Sequence, residues 1–438
     1  MDWAAGGEAA GGASSAPASG GAPSTAAGGL ARSLGAAAAT ASEADASRAR
    51  ILEFLQRHTA YELIPESSKV VVLDTAIPVR LAFHALFEQG VHAAPLWHGP
   101  ARAFVGVISP GDFIALLCRL QSSAGSPPTL SELELDGLTI DAWMREAAAE
   151  GGRGGAPPPA LVSVCPEDSL HAVAHALLRS GCGALPMLST AGGGAASGSA
   201  AAPPAPPPAG TPGAAPPAAA APPPPQRPAS QQLLHMSTMS GVLACLMRHF
   251  RGVPNALPLL SQPLGRLPIG TWSDVARHDP ASGGGEPQRP LVTMHPSTPL
   301  KTALAMLLQA GVGALPIVDD GGVLLDVYAR NDILALARNN AYSQLPLDSI
   351  SVSQALHYMK AGVGAGAGGG AAFAAPAEGG AAGGAPRRCY TCTRADSLRT
   401  AMETLALPGV TRLVCVQAGT QRIEGIITLS DIASFLFV

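Results

Sequence analysis

Apolar residues recur along this chain with a helical period in four places, and each time the period ends at a glycine followed by a short apolar run. The segments are PVRLAFHALFEQGVHAAPL from Pro78, DSLHAVAHALLRSGCGALPM from Asp168, TPLKTALAMLLQAGVGALPI from Thr298 and DSLRTAMETLALPGVTRLVC from Asp396. Val79, Ala82, Phe83, Leu86 and Phe87 in the first, and Leu300, Ala303, Leu304, Leu307 and Leu308 in the third, fall at i, i+3, i+4, i+7 and i+8. Each helix therefore presents one apolar stripe. Helices opening at Val79, Leu170, Leu300 and Leu398 close at Gly90, Gly181, Gly311 and Gly409, with Pro95, Pro186, Pro316 and Val414 at matching distances beyond. Such registration marks an internal repeat whose copies bury their apolar faces against one another, with ligand clefts between copies.

Short apolar runs upstream of the helices predict strands at Val70–Leu73, Leu161–Val164, Leu291–Met294 and Arg388–Thr391. After Pro95 and Pro316 come a strand, a turn, a second strand (Phe104–Ile108 or Val323–Tyr328) and a second helix starting near Asp112 or Asp332. The unit is β-α-β-β-α, and the fold class is α+β. In the second copy a Pro/Ala tract after Leu188 separates the two central strands, and the pattern resumes at about Gln231–Met236 before a helix from Gly241. A hairpin loop of that length is tolerable because closure entropy grows only logarithmically with length. Leu267–Trp272 reads as a structured linker, and Ser131–Glu150 as a further helix between the first two copies.

Composition changes this picture by subtraction. Gly, Pro and Ala concentrate in residues 1–50, 190–230 and 362–386, tracts expected to be disordered because they have too little apolar surface to bury. The remainder divides into repeats at 51–130, 131–255, 256–345 and 346–438. A net charge of -4 with no Lys/Arg stripe argues against a nucleic-acid partner. No apolar run is long enough for a membrane span. Seven scattered cysteines without a secretory h-region point to free thiols in a reducing compartment. Asp2 and Glu8, with no arginine before Arg32, depart from a transit peptide, so cytoplasm or nucleus is expected.

Candidate chemistry sits where the second helix of each unit begins: Ser109-Pro-Gly-Asp112, Thr238-Met-Ser-Gly241, Ala329-Arg-Asn-Asp332 and Thr428-Leu-Ser-Asp431. A carboxylate can accept both hydroxyls of a ribose, while exposed N–H groups at a helix start favour a phosphate. The same letters also spell a helix cap, with Ser or Thr followed three residues later by an acid. Other arrangements carry less. Cys389 and Cys392 in a strand would point to opposite faces, and no second pair completes a zinc site. His171 and His175 share a helical face but lack the HExxH glutamate and a third ligand. No nucleophile, kinase signature or paired-acid arrangement stands out.

The four units resemble cystathionine-β-synthase (CBS) repeats. HTAYELIPESSKVVVLD from His58, followed by AAPLW, FVGVISPGDFI, LPIGTW and EGIITLSDI, is similar to the γ regulatory subunits of AMP-activated and sucrose-non-fermenting protein kinases, the plant and algal type above all. The resemblance implies two tandem CBS pairs arranged as a disk. It implies a non-catalytic subunit that holds a kinase catalytic α subunit and a β scaffold subunit together, with AMP, ADP or ATP as candidate ligand. It also assigns ribose recognition to Asp112, Asp332 and Asp431, the last with Thr428, and leaves the second repeat incompetent through Gly241. The His-Arg pairs that relatives place before the central strand are here His92-Ala93, Gly183-Ala184, Gly313-Ala314 and Thr411-Arg412. Only Arg412 and His92 remain for phosphate, and losing the other forks of donors costs affinity for a charged nucleotide. A free-standing metabolite sensor built from the same repeats is the alternative reading, and an enzyme whose catalytic part lies on another chain is a second.

Overall fold

The computed structural model describes residues 42–67, 69–122, 137–150, 161–190, 231–252, 257–273, 290–340, 348–361 and 389–437. The chain divides into a short unit, Met1–Ala46, and the unit Ser47–Val438 that carries all four repeats. The first helix, α1 (residues 42–57), begins inside the stretch expected to be a disordered tail. The correction has a packing cause, since Ile51, Phe54 and Leu55 form an apolar stripe that is buried. Residues 1–41, 191–230 and 362–388, which hold most of the low-complexity sequence, lie outside the described residues.

In repeat 1, β1 (Leu73–Asp74), α2 (Val79–Gln89), β2 (Ala94–His98), β3 (Ala103–Ile108) and α3 (Pro110–Ser122) follow in the expected order, and α4 (Ile140–Glu150) comes after. Repeat 2 has α5 (Leu170–Ser180), β4 (Ala184–Thr190), β5 (Gln231–Thr238) and α6 (Met239–Phe250). The linker strand β6 (Thr271–Trp272) precedes repeat 3, which has α7 (Leu300–Gln309), β7 (Ala314–Val318), β8 (Leu324–Ala329), a 3₁₀ helix (Arg330–Asn340) and then α8 (Val352–Ala361). Repeat 4 has β9 (Thr391–Cys392), α9 (Leu398–Leu405), β10 (Arg412–Val416), β11 (Ile423–Thr428) and α10 (Leu429–Phe437).

The glycines that close the repeat helices all adopt the left-handed conformation, with φ of 64°, 63°, 63° and 82° at Gly90, Gly181, Gly311 and Gly409. Each central strand pairs antiparallel with the next, and every hairpin carries an irregularity at the equivalent step: Leu96/Trp97, Met187/Leu188, Ile317/Val318 and Cys415/Val416. The upstream strands are shorter than the apolar runs suggest. Leu73 pairs parallel with Leu96 and Cys392 with Cys415, while Val164 and Met294 make single parallel bridges to Met187 and Ile317. The second helix of repeat 3 is 3₁₀, which puts Ile333 and Leu336, three residues apart, on one buried line.

Helices and sheets make different seams. One apolar core runs from repeat 1 into repeat 3 and includes Leu86, Phe113, Leu304, Leu307, Tyr328 and Ile333. Phe83 stacks on Phe113 at 4.1 Å within it. Helix α10 likewise packs on α5 and α6, and α9 on α6, joining repeats 2 and 4. The sheets of repeats 3 and 4 meet through Ala314, Val327, Val414 and Val416, and the edges are tied by Leu324 N–H to Gln421 O (3.0 Å) and Ile423 N–H to Gly322 O (3.0 Å).

The segments between repeats are exchanged. Leu170 N–H bonds to His58 O at 2.9 Å and Ala60 N–H to Asp168 O at 2.7 Å, so the opening segment of repeat 1, ahead of β1, brackets the helix of repeat 2. Leu398 N–H to Gln262 O (2.9 Å) and Leu264 N–H to Asp396 O (2.8 Å) repeat the arrangement for repeat 4. Strand β6 then pairs antiparallel with β11, Trp272 opposite Gly425. The cuts expected at 130/131 and 255/256 fall outside the described residues.

Candidate functional site

The helix starts show what their carboxylates do. Asp112 Oδ2 accepts from the Ser109 N–H (2.7 Å) and hydroxyl (2.8 Å), and Asp332 Oδ2 accepts from the Ala329 N–H (2.8 Å). Asp431 Oδ2 accepts from the Thr428 N–H (2.7 Å) and hydroxyl (2.8 Å), and its own N–H returns to Thr428 Oγ1 at 3.3 Å. In repeat 2 the Gly241 N–H donates to Thr238 Oγ1 at 3.2 Å, so the cap persists without an acid. The Thr428–Asp431 cap is reciprocal and the others are one-way, and all of them satisfy otherwise orphaned donors. In each Asp these capping bonds run to Oδ2. Burial pushes the Asp112 and Asp431 carboxyls up from the usual range, opposed by those hydrogen bonds and, at Asp112, by the Arg330 guanidinium.

Cations separate these positions. Arg412 and Thr428 are opposite each other across β10 and β11, yet the Arg412 guanidinium leaves its own repeat. It passes Gly313 of repeat 3 so closely that a Cβ there would lie 3.2 Å from Nη2, and its electrostatic partners include Asp332 and Arg330. Glycine at 313 is thus the clearance for a neighbouring repeat's guanidinium. Arg330, at the start of the 3₁₀ helix, reaches repeat 1 instead. A Cβ on Gly111 would sit 3.3 Å from its Nη1, Asp112 is its electrostatic partner, and Nη2 donates to Leu307 O at 3.2 Å. Burial lowers the pKa of both arginines. His92 Nδ1 lies 2.6 Å from Asn331 Nδ2. Partial burial draws the His92 pKa below 6.5; Asn331 opposes that shift and Arg412 adds to it.

Of the residues expected from sequence, His92, Asp112, Asp332 and Arg412 belong to one connected group, built by repeats 1, 3 and 4 around Arg330-Asn-Asp332. Asp431 and Thr428 stand at a different helix start, and the groups acting on the Asp431 carboxyl are burial and Thr428, with no guanidinium among them. Arg330 and Asn331 escaped sequence reasoning. The available signal was the charge at 330, where the other repeats have Pro110, Met239 and Leu429. No group of three or more His, Cys, Asp or Glu among the described residues is arranged to hold a metal ion.

Comparison with known proteins agrees with this architecture. Residues 286–339 and 386–438 match the family model "CBS domain". The chain is 29% identical over 386 residues to a 5'-AMP-activated protein kinase subunit gamma of Dictyostelium discoideum, covering 88% of this chain and 52% of that protein. It is 28% identical over 386 residues to the human 5'-AMP-activated protein kinase subunit gamma-3, covering 88% and 60%. The chain thus spans between half and three-fifths of the length of these relatives. A crystal structure from Methanocaldococcus jannaschii, described as an archaeal homologue of γ-AMPK, superposes with a TM-score of 0.52 at 12% identity, covering 86% of this chain and 99% of that one. Residues of repeats 3 and 4 match the CBS model, repeats 1 and 2 share their pattern and topology, and the chain is similar to kinase γ subunits over 88% of its length.

Proposed function

We propose that this chain is the regulatory γ-type subunit of a heterotrimeric Ser/Thr protein kinase, contributing no catalytic group of its own and binding an adenine nucleotide between its repeats. The observation that carries the reading is the meeting of His92 and Asp112 from repeat 1, Arg330, Asn331 and Asp332 from repeat 3, and Arg412 from repeat 4. Such a group offers acceptors for a ribose diol beside guanidinium donors for a phosphate, with the two kinds of group supplied by different repeats. Occupancy would therefore be felt at the seams between repeats, where a partner could sense it. The similarity to kinase γ subunits supports a catalytic α subunit and a β scaffold subunit as the partners. The same similarity fits a cytoplasmic or nuclear setting, and no helix among the described residues is long and apolar enough to cross a membrane.

The test is recovery of the tagged full chain from cell extract followed by identification of what accompanies it. A Ser/Thr kinase and a scaffold subunit are expected, and deleting 1–41 together with 191–230 should leave both in place. Recovery of the chain alone would favour the free-standing sensor.

A further inference from the structure

Two imidazoles that play no part in the nucleotide reading meet where the opening segment of repeat 1 packs on repeat 2. His58 follows α1, and His249 lies in the last turn of α6. Their ring centroids are 5.4 Å apart, with the planes at 65°. Both rings rest on the ring of Phe54, at 4.1 Å and 4.5 Å, and Phe54 is itself buried. The outer side is open, since the His58 side chain is 31% exposed and His249 is exposed.

Glu62 fixes the state of one ring. Its two carboxylate oxygens lie 2.7 Å and 2.9 Å from His58 Nδ1. A carboxylate only accepts, so Nδ1 carries the proton and, in the neutral ring, Nε2 carries the lone pair. A carboxylate behind an imidazole is the outer-shell arrangement that orients histidine ligands and raises their basicity. The spacing of the rings agrees with this. Two imidazoles on one ion, at about 2.0–2.1 Å per nitrogen and about 90–110° apart, have centroids roughly 4.5–5.2 Å from each other. A small side-chain rotation brings the observed pair into that range. An ion pair between His58 and Glu62 accounts for the carboxylate but not for the second imidazole beside it. Arg248 is the opposing charge: its Nη2 donates to Cys245 Sγ at 3.7 Å, and that thiol lies 3.9 Å from Glu62 Oε2. Glu62 stands on the other side of the balance, nearer to the imidazole.

We propose that His58 and His249 bind a divalent transition-metal ion of the zinc or copper class, with Glu62 as the positioning residue. Imidazole nitrogen suits these ions, whereas magnesium and calcium prefer oxygen ligands. Two protein nitrogens leave the remaining positions to water, so the ion is exchangeable, unlike one in a closed structural site. Bound there, it staples the end of α1 to the end of α6, beside the backbone bonds through which His58 and Ala60 bracket α5. The site stands whether or not the chain binds nucleotide.

Calorimetric titration of zinc chloride into the chelator-treated full chain tests it, with melting curves on the same samples. Wild type should bind zinc and melt higher in its presence, because an ion that binds only the folded chain stabilises it. His58→Asn and His249→Asn should each remove that binding event and the zinc-dependent rise. Glu62→Gln should weaken zinc about 10- to 100-fold, and Glu62→Asp should recover part of the loss. His171 and His175 on α5, with rings 5.6 Å apart, are a second imidazole pair, so His171→Asn is the control and should leave the event unchanged. His249 is exposed, so its replacement decides the matter even where His58→Asn disturbs the end of α1. No zinc binding by wild type would overturn the proposal. Binding that survives His249→Asn, or that is lost in His171→Asn, would overturn it as well.

Discussion

Asp332 and Asp431 hold the same place in their repeats, and both accept the N–H three residues before them, at 2.8 Å and 2.7 Å. What distinguishes them is the guanidinium of Arg412, an electrostatic partner of Asp332. Asp431→Ala should therefore cost about 0.5–2 kcal/mol, the worth of a helix cap, and leave nucleotide affinity unchanged. Melting curves and AMP titrations on the same samples check both halves; a loss of affinity would return Asp431 to the site. His92 gives a pH signature. Its folded-state pKa lies below 6.5, so in the window between the lowered value and 6.5 the unfolded chain binds more protons, and stability rises with pH and is lost as pH falls. His235, lowered by burial, acts in the same direction. His92→Gln should reduce the slope of unfolding free energy between about pH 5 and pH 7 without abolishing it. Urea midpoints across that range decide; an unchanged slope would show that His92 does not titrate in this environment.

At the scale of elements, the period of the apolar residues located every repeat helix, because a helix is specified by neighbours three and four positions away. Leu300, Ala303, Leu304 and Leu307 are all buried on α7, as their spacing requires. Strand pairing is less local, and β6 shows the difference. LPIGTW gives a linker by its letters, but the partner of Thr271 and Trp272 is β11, more than a hundred and fifty residues on, and the fit depends on Gly425. A Cβ at 425 would lie 2.6 Å from Trp272 Cε3 and 2.7 Å from Thr271 O. Gly425→Ala should therefore displace β6 and cost about 1–3 kcal/mol by overpacking. Gly183→Ala, with nothing within 4 Å of the added methyl, should stay within about 0.5 kcal/mol of wild type. Denaturant titrations of the pair test the assignment, and equal stabilities would mean that β6 does not seat against Gly425.

For the whole molecule, the repeats depend on partners distant in sequence. Phe83 and Phe113 of repeat 1 share a core with Leu304, Leu307 and Ile333 of repeat 3, so the first two repeats alone would expose that face. A fragment of residues 47–255 is expected to self-associate through it, since a large exposed apolar patch drives association. Size exclusion with light scattering checks this; a monomer melting as cooperatively as the full chain would contradict the shared core. The exchange of His58–Ala60 into repeat 2 and of Gln262–Leu264 into repeat 4 strengthens the same dependence, because cutting between repeats removes backbone hydrogen bonds from the neighbour.

Sequence alone determined the number of repeats, their β-α-β-β-α order, the glycine stops and the acids at the helix starts, since each is a pattern closed within a few residues or recurring at a fixed interval. Only the tertiary structure decided that Arg412 turns to Asp332, that Arg330 faces Asp112 across repeats, and that Gly313 and Gly111 lie against those guanidiniums. A long side chain on a short helix start can point toward several neighbours, and which one it meets depends on how copies far apart in the chain stack. That stacking is set by apolar seams shared between repeats, which no local period records.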